Sequence, residues 1–441
     1  MVKSTLSTYE NDVVNPLLMN LGEDVMGFLN EVQSIYSKAI SFASGRPDAK
    51  YFNIEKFSEY LDFFIKTEVL EKGQTENEIL GYLGQYNRTK GIINKEVSKY
   101  LWKDEAIQAL PEDILITVGT QEGIAVGIMT ICNKENDVIL VEDPAYIGIT
   151  HFSKINGYHV DGVPVTSNGI SLENLEEKLQ HYSSIGKRVR VVYVIPDFQN
   201  PSGVVMSLEN RYKLLELAEI HDFLIFEDNA YGDFSYENSP YPTLKSIDKN
   251  NRVIYLKSLS KTLYPSLRLS LMVVNQSISV EGNVLKLSDL VSKTKGYITV
   301  NTPSIIQAMF GGMLHQHNFS LKKMNKEKVL GMKEKRNYLL KCLEETFNTK
   351  NNSWSNEVKW NYPKGGFFIR VKLPFEVGKE EVVECAEKFK VIFTPMSFFY
   401  LNEGGENELR LAFSNLSLEE IKIGIDRLAD YIKNKIENLK K

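Results

Sequence analysis

The sequence predicts an α/β protein: a seven-stranded, mostly parallel, doubly wound sheet with a smaller α+β domain beside it. Three observations carry that expectation. Short β-branched, apolar segments near positions 114, 138, 158, 190, 223, 252 and 269 alternate with helical patterns, the rhythm of a sheet with helices on both faces. From about Val358 the rhythm changes to strands and turns closed by one amphipathic helix. At 441 residues the chain is also long for a single hydrophobic core.

Taken in order, Val25, Phe28, Leu29 and Val32 stand at helical spacing, and Ile40 to Asp48 is a turn-rich stretch holding Gly45 and Arg46. Phe57, Leu61, Phe64 and Ile65 mark a helix over about 57–68. A glycine-bounded loop, Gly84 to Gly91, carries Tyr86 into a helical Ile92–Leu101. Strand Ile114–Val118 runs into Gly119-Thr120-Gln121-Glu122-Gly123, which opens a helix whose free N–H groups make an anion site. Strand Asp137–Glu142 ends at Asp143-Pro144-Ala145-Tyr146, where the proline stops the strand and sends Tyr146 back over the sheet's rim.

Strand Tyr158–Val163 precedes a helix marked by Leu172, Leu175 and Leu179 and capped by Ser171. Strand Arg190–Ile195 leads to Asp197–Gly203, and strand Phe223–Glu227 leads to Asp228–Tyr231. Asn200 and Asp228 therefore fall outside the carboxyl ends of strands, where α/β sheets collect ligands. Strands Arg252–Leu256 and Leu269–Val274 are joined without a crossover helix, so antiparallel pairing is expected there. A helix begins near Pro303, and a long charged helix covers 319–346. Strands over Phe367–Val371, Phe389–Thr394 and Glu408–Phe413 follow, and a capping box, Ser417 with Glu420, opens the last helix.

The chain is organised around Lys261, on the connection between two apolar strands. Ser258 and Ser260 stand just before it and Arg268 seven residues after. Such a set suits a phosphorylated aldehyde: an amine to form an imine, with hydroxyls and a guanidinium to hold the phosphate. A buried Asp228 would need a cationic partner, and a protonated pyridine nitrogen is one. Alone, each motif has a plainer reading as a solvated lysine or a surface arginine.

Together they are specific. Asn200-Pro201-Ser202-Gly203, Asp228-x-Ala230-Tyr231, Ser258-x-Ser260-Lys261 with Arg268, and Arg410-Leu411-Ala412-Phe413-Ser414 resemble, in the family's order from about Ser41 to Ser414, the fold-type I aminotransferases that use pyridoxal 5′-phosphate. The set looks closest to the kynurenine/aminoadipate subgroup. Phe28–Val32 and residues 39–47 are similar to dihydroxyphenylglycine-type transaminases.

The resemblance implies the following roles. Lys261 holds the cofactor and moves the substrate Cα proton. Asp228 keeps the ring nitrogen protonated, and Asn200 and Tyr231 face the ring's phenolic oxygen. Tyr146 and Ala230 cover the two ring faces. Thr120, Gln121, Ser258, Ser260 and Arg268 hold the phosphate, joined by Tyr86 of a second subunit, so a homodimer is expected. Arg410 clamps the substrate carboxylate, with Gly45 and Asn200 beside it, and Phe28 with Tyr146 lines an apolar slot. Arg46 stands where many relatives carry an aliphatic residue; it meets either an acidic substrate or solvent. Residues 1–55 join 321–441 as the small domain, and 56–320 form the large one.

The implied reaction moves an amino group between an L-amino acid, aromatic or bulky, and a 2-oxo acid. A β-lyase or decarboxylase on the same fold would share the cofactor residues, although Arg410 speaks for keeping the carboxylate. A cofactor-binding transcription regulator would need a basic module before Ile40, where about 40 residues of mixed polarity stand instead. A net charge of −5 argues against a nucleic-acid partner. Cys132, Cys342 and Cys385 are too few and too scattered for a disulfide framework or a zinc site, and no metal is expected. No apolar leader or membrane-length stretch is present, so a cytoplasmic enzyme is expected.

Overall fold

The computed structural model describes residues 13–19, 21, 24–237, 240–347, 355 and 357–439. Its central sheet holds the seven expected strands and one more. They are β1 (Ile114–Thr117), β2 (Asp137–Asp143), β3 (His159–Thr166), β4 (Gly169–Ile170), β5 (Arg188–Val194), β6 (Leu224–Asn229), β7 (Val253–Ser258) and β8 (Ser270–Val273). Their spatial order is β1-β8-β7-β6-β5-β2-β3-β4. Strands β3, β2, β5, β6 and β7 run parallel, and β8 is antiparallel to both β7 and β1. The short connection through Lys261 thus makes the antiparallel pair that its length requires. The additional strand, β4, is a two-residue edge piece antiparallel to β3. It is too short to show any alternation in the sequence.

Helices cover both faces, which is why the parallel strands read as apolar runs. Among them are α1 (Asn94–Glu105) and α2 (Thr120–Ile131). The period of two still sorts the side chains. Val191, Tyr193 and Phe226 face one buried cluster with Ile124 and Ile128 of α2, while Val192, Ile225 and Phe223 face the other. That parity sets Tyr193 and Asp228 on the same side of the sheet.

The strand expected to end at Glu227 runs on through Asp228 and Asn229, so the acidic residue is anchored in the sheet and not on a loop after it.

Beyond the sheet, α3 (Lys322–Phe347) leads to four antiparallel strands, β9 (Lys359–Trp360), β10 (Phe368–Lys372), β11 (Thr394–Pro395) and β12 (Glu408–Ala412), in the order β9-β10-β12-β11. The strand expected over 389–394 is not continuous. Phe389 closes a π-helical turn, Lys390 takes a left-handed backbone (φ 60°), and two short strands follow at Val391–Ile392 and Thr394–Pro395. Ile40–Ser41 pairs in parallel with Val391–Ile392, and Ala412 N–H donates to Phe42 O at 2.7 Å. Leu29, Val32 and Phe42 consequently share a core with Ile369, Leu411 and Ile425. Ser417 and Glu420 close the capping box that opens α4 (Leu418–Leu439). No helix among the described residues is long and apolar enough to cross a membrane.

Candidate active site

The end of β6 supplies the first group. Asp228 is buried, and its Oδ2 accepts a 2.6 Å hydrogen bond from Tyr193 Oη, while Oδ1 has no partner. Burial pushes the carboxyl up to about 6, against the hydrogen bond from Tyr193. Sequence reasoning did not single out Tyr193. Its signal was slight: one hydroxyl-bearing side chain in an otherwise aliphatic stretch of buried strand.

Lys261 sits half-buried in the turn after β7, with no hydrogen bond or ion pair among the described residues. Burial first, and then the charges of Arg410, Arg268 and Arg46 in that order, lower its amine to about 8. Three guanidiniums from separate stretches of chain therefore oppose the charge on one amine.

Around it lies a cradle of hydroxyl groups and one guanidinium. Ser258 ends β7, and its Oγ accepts from Ser260 N–H at 3.4 Å. Arg268 is exposed, adopts a left-handed backbone (φ 49°) and donates to Val118 O at 3.4 Å. A side chain at Gly119 would run into that guanidinium, and its φ of 79° already favours glycine. Next to it Thr120 opens α2, its buried Oγ1 unpartnered. Gln121 Nε2 donates to Gly148 O at 2.8 Å, and Tyr146 Oη lies 3.4 Å from Gln121 Oε1. Burial pushes the Tyr146 hydroxyl up to about 12, with Asp228 adding to the shift and Arg268 opposing it. Tyr146 is thus within the field of both the acid and the cradle.

Arg410, on β12, is 4% exposed and clasped from every side. Its Nη1 donates to Asn200 Oδ1 at 2.7 Å and its Nη2 to Ala43 O at 2.8 Å. The guanidinium lies over the rings of Phe368 (4.3 Å) and Phe399 (4.7 Å), and Nε is unpartnered. Burial lowers its pKa to about 10, leaving it charged at neutral pH. Tyr231 packs edge-on against Phe367 and Phe368, each at 5.5 Å, and burial pushes its hydroxyl well up while Arg410 opposes the shift. Ala230 lies half-buried between Asp228 and Tyr231. A Cβ at Gly45 would come within 2.8 Å of the Phe368 ring, so glycine is what lets the chain pass there.

Arg46 is exposed, with its carbonyl accepting from Ser414 Oγ at 2.6 Å. Tyr86 is 82% exposed, on the loop after the helix Glu76–Leu83. Phe28 is engaged by the smaller domain: its ring meets Phe398 edge-on at 6.2 Å, with the Lys379 ammonium 4.9 Å from its centre. Ala43, Phe368 and Phe399, which complete the seat of Arg410, were not foreseen, because each reads locally as loop or core.

The donor set fits pyridoxal 5′-phosphate. The unpartnered Thr120 Oγ1 beside Arg268 suits a phosphate, the unpartnered Asp228 Oδ1 suits a protonated ring nitrogen, and the depressed amine of Lys261 suits an aldehyde. Residues 57–428, most of the chain, match the family model for aminotransferase class I and II. The chain belongs to that family.

The aminotransferase is 37% identical over 428 residues to (S)-3,5-dihydroxyphenylglycine transaminase of Amycolatopsis orientalis, covering 97% of this chain and 94% of that one. It superposes on the kynurenine aminotransferase of Pyrococcus horikoshii, solved in complex with PMP, with a TM-score of 0.76, 30% identity, and 99% and 97% of the two chains covered. A second solved structure, the α-aminoadipate aminotransferase of Thermus thermophilus complexed with N-(5′-phosphopyridoxyl)-L-leucine, matches with a TM-score of 0.77 at 26% identity over 97% and 99% of the chains. The aminotransferase is of fold type I, and its cofactor is pyridoxal 5′-phosphate.

Proposed function

We propose that this aminotransferase takes the amino group from an L-amino acid with an aromatic or other bulky side chain and passes it to 2-oxoglutarate or an aryl oxo-acid. The observation that carries the reading is the seat of Arg410: a buried cation stacked between Phe368 and Phe399, beside Tyr231. Its guanidinium clamps the substrate carboxylate through paired N–H groups. An apolar side chain gains from the aromatic walls about 0.8 kcal/mol for each CH₂ it buries. The relatives named for dihydroxyphenylglycine and kynurenine support the same class.

Pyridoxal phosphate, when bound, supplies the aldehyde that captures the amino group and a ring that spreads the electron pair left at Cα. The rest is the chain's own work. Lys261 Nζ takes the proton from the substrate Cα, and its lowered pKa leaves a usable fraction of free amine near neutral pH. Asp228 Oδ1, otherwise unpartnered, would hold a proton on the ring nitrogen. Asn200 and Tyr231 donate to the ring's phenolic oxygen, with Asn200 Oδ1 already committed to Arg410. Tyr146 and Ala230 would cover the ring faces, and Thr120, Gln121, Ser258, Ser260 and Arg268 would hold the phosphate. The working unit is a homodimer in which Tyr86 reaches the phosphate of the partner subunit, a reading supported by its exposure. Three free cysteines support a reducing, cytoplasmic setting.

Arg46 favours a second reading. Its charge is felt at Lys261, and an exposed guanidinium there suits the distal carboxylate of a dicarboxylic donor. Comparing kcat/KM for phenylalanine, phenylglycine, aminoadipate and alanine in wild type and Arg46→Ala separates the two. Aromatic donors should lead in both proteins. Aminoadipate leading in wild type and falling in Arg46→Ala supports the second reading; alanine leading, with the ranking unmoved, removes the first.

A further inference from the structure

Four residues before Lys261, β7 carries a second lysine that the reaction does not use. Lys257 is 1% exposed, and its Nζ donates to Glu105 Oε1 at 2.7 Å and Asp233 Oδ1 at 2.9 Å. The three residues of this cluster come from separate elements. Glu105 is the last residue of α1, Asp233 follows Tyr231 by two residues, and β7 leads straight into the Lys261 turn. The other oxygen of Asp233, Oδ2, accepts from Thr262 Oγ1 at 2.5 Å. Thr262 is the residue after Lys261, and its carbonyl in turn accepts from Lys328 Nζ of α3 at 2.5 Å.

A buried ion cluster is a poor way to gain stability, because desolvation takes back most of the attraction. Apolar side chains of like volume would fill the same space. What the charges add is direction: each hydrogen bond fixes one backbone segment against another. Here the chain of contacts runs from the segment that follows β6, through Asp233 and Thr262, to the backbone of the lysine that must face the end of β6. Burial opposes the Lys257 charge, but Asp233 and Glu105 more than offset it, and Asp233 is held below the usual carboxylate range while Glu105 is pushed above it. Asp233, which favours the Lys257 charge ahead of Glu105, is also the carboxylate that holds Thr262. Tyr100 and Tyr255 also face Lys257, and Lys322 and Lys328 lie on the Asp233 side.

We propose that Lys257 and Thr262 are positioning residues, which act through Asp233 to set the Lys261 amine against Asp228 at the end of β6 and Tyr231 just after it. The proposal rests on Lys261 being the lysine that holds the cofactor. Borohydride reduction of the wild-type holoenzyme followed by peptide mapping tests that basis, and label on another lysine removes both readings. Thr262→Val then keeps every charge and removes only the hydroxyl. The pH midpoint of the bound cofactor's absorbance should move by about half a unit or more. The kcat should fall about tenfold or more with KM within about twofold, as expected when a reacting group is misplaced and binding is not. Thr262→Ser should restore both. Lys257→Met should shift the midpoint in the same direction, and the double variant should be no worse than the poorer single, because both act through one carboxylate. With label on Lys261, a Thr262→Val enzyme that keeps its midpoint and kcat overturns the proposal, whatever happens to its Tm; the cluster is then a structural staple only.

Discussion

Tyr193 fixes one oxygen of Asp228 and leaves the other bare. The carboxylate is thereby oriented within the apo-protein, with its second oxygen unsatisfied until a cation reaches it. Such a group stabilises the complex at the cost of the free protein, and both sides of that exchange can be measured.

Asp228→Asn should make the apo-protein more stable at pH 8 and nearly abolish activity. The folded-state value of about 6 lies above the ordinary 3.8, so folding is penalised once the unfolded carboxyl has ionised, fully so above about 6. Removing the charge relieves about 2–3 kcal/mol there and nothing below the ordinary value. Urea titrations of the two apo-proteins at pH 8 check it; a less stable variant contradicts the account. Tyr193→Phe should raise the Asp228 pKa and shift the acid limb of kcat upward.

Capture of the cofactor by the apo-protein should speed up as pH rises through about 8, where Lys261 loses its proton. Its folded value is depressed from 10.5, so the unfolded chain binds more protons between the two values, and apo stability rises with pH across that window. Arg46→Ala removes one of the lowering charges and should move the capture midpoint upward. Stopped-flow absorbance against pH reads both; an unmoved midpoint in Arg46→Ala shows that this charge is not felt.

Arg410→Lys should lower kcat/KM about 100- to 1,000-fold, the loss of two charge-assisted hydrogen bonds. A lysine cannot hold Asn200 and Ala43 together while keeping contact with the rings of Phe368 and Phe399. Gly45→Ala, which presses on Phe368, should give a milder rise in KM. Steady-state kinetics with one amino donor settles both, and a lysine variant within about tenfold of wild type would show that the fork geometry is not used.

Subunit sharing is tested by mixing Tyr86→Phe chains with Lys261→Ala chains. If each site draws on both subunits, one site of the heterodimer carries both defects and the other neither. Activity near half the wild-type value per dimer is expected; confirmed heterodimers with no recovery above a Tyr86→Phe site refute the sharing.

The groups legible in the sequence are those held at strand ends. Lys261, Asp228, Asn200 and the Thr120 helix follow directly from where apolar runs stop, because a sheet delivers its carboxyl ends to one rim. What escaped notice depends on partners distant in sequence. Phe368 and Phe399 are ordinary core aromatics until Arg410 lies between them, and Tyr193 is a packing residue until parity sets it beside Asp228. Lys257 reads as a polar interruption of a strand until α1 and the Asp233 turn close over it. The strand expected over 389–394 failed for a local reason, the left-handed backbone of Lys390, which a lysine does not advertise.

Arg410 bonds to Asn200, 210 positions earlier, and to Ala43, 367 positions earlier. A chain made from its N-terminus has Thr120, Asp228, Lys261 and Arg268 all in hand about 140 residues before β12 emerges to finish the carboxylate seat. On the proposed roles, the order of synthesis is also an order of assembly: every side chain assigned to the cofactor within one subunit is made well before the one assigned to the substrate carboxylate.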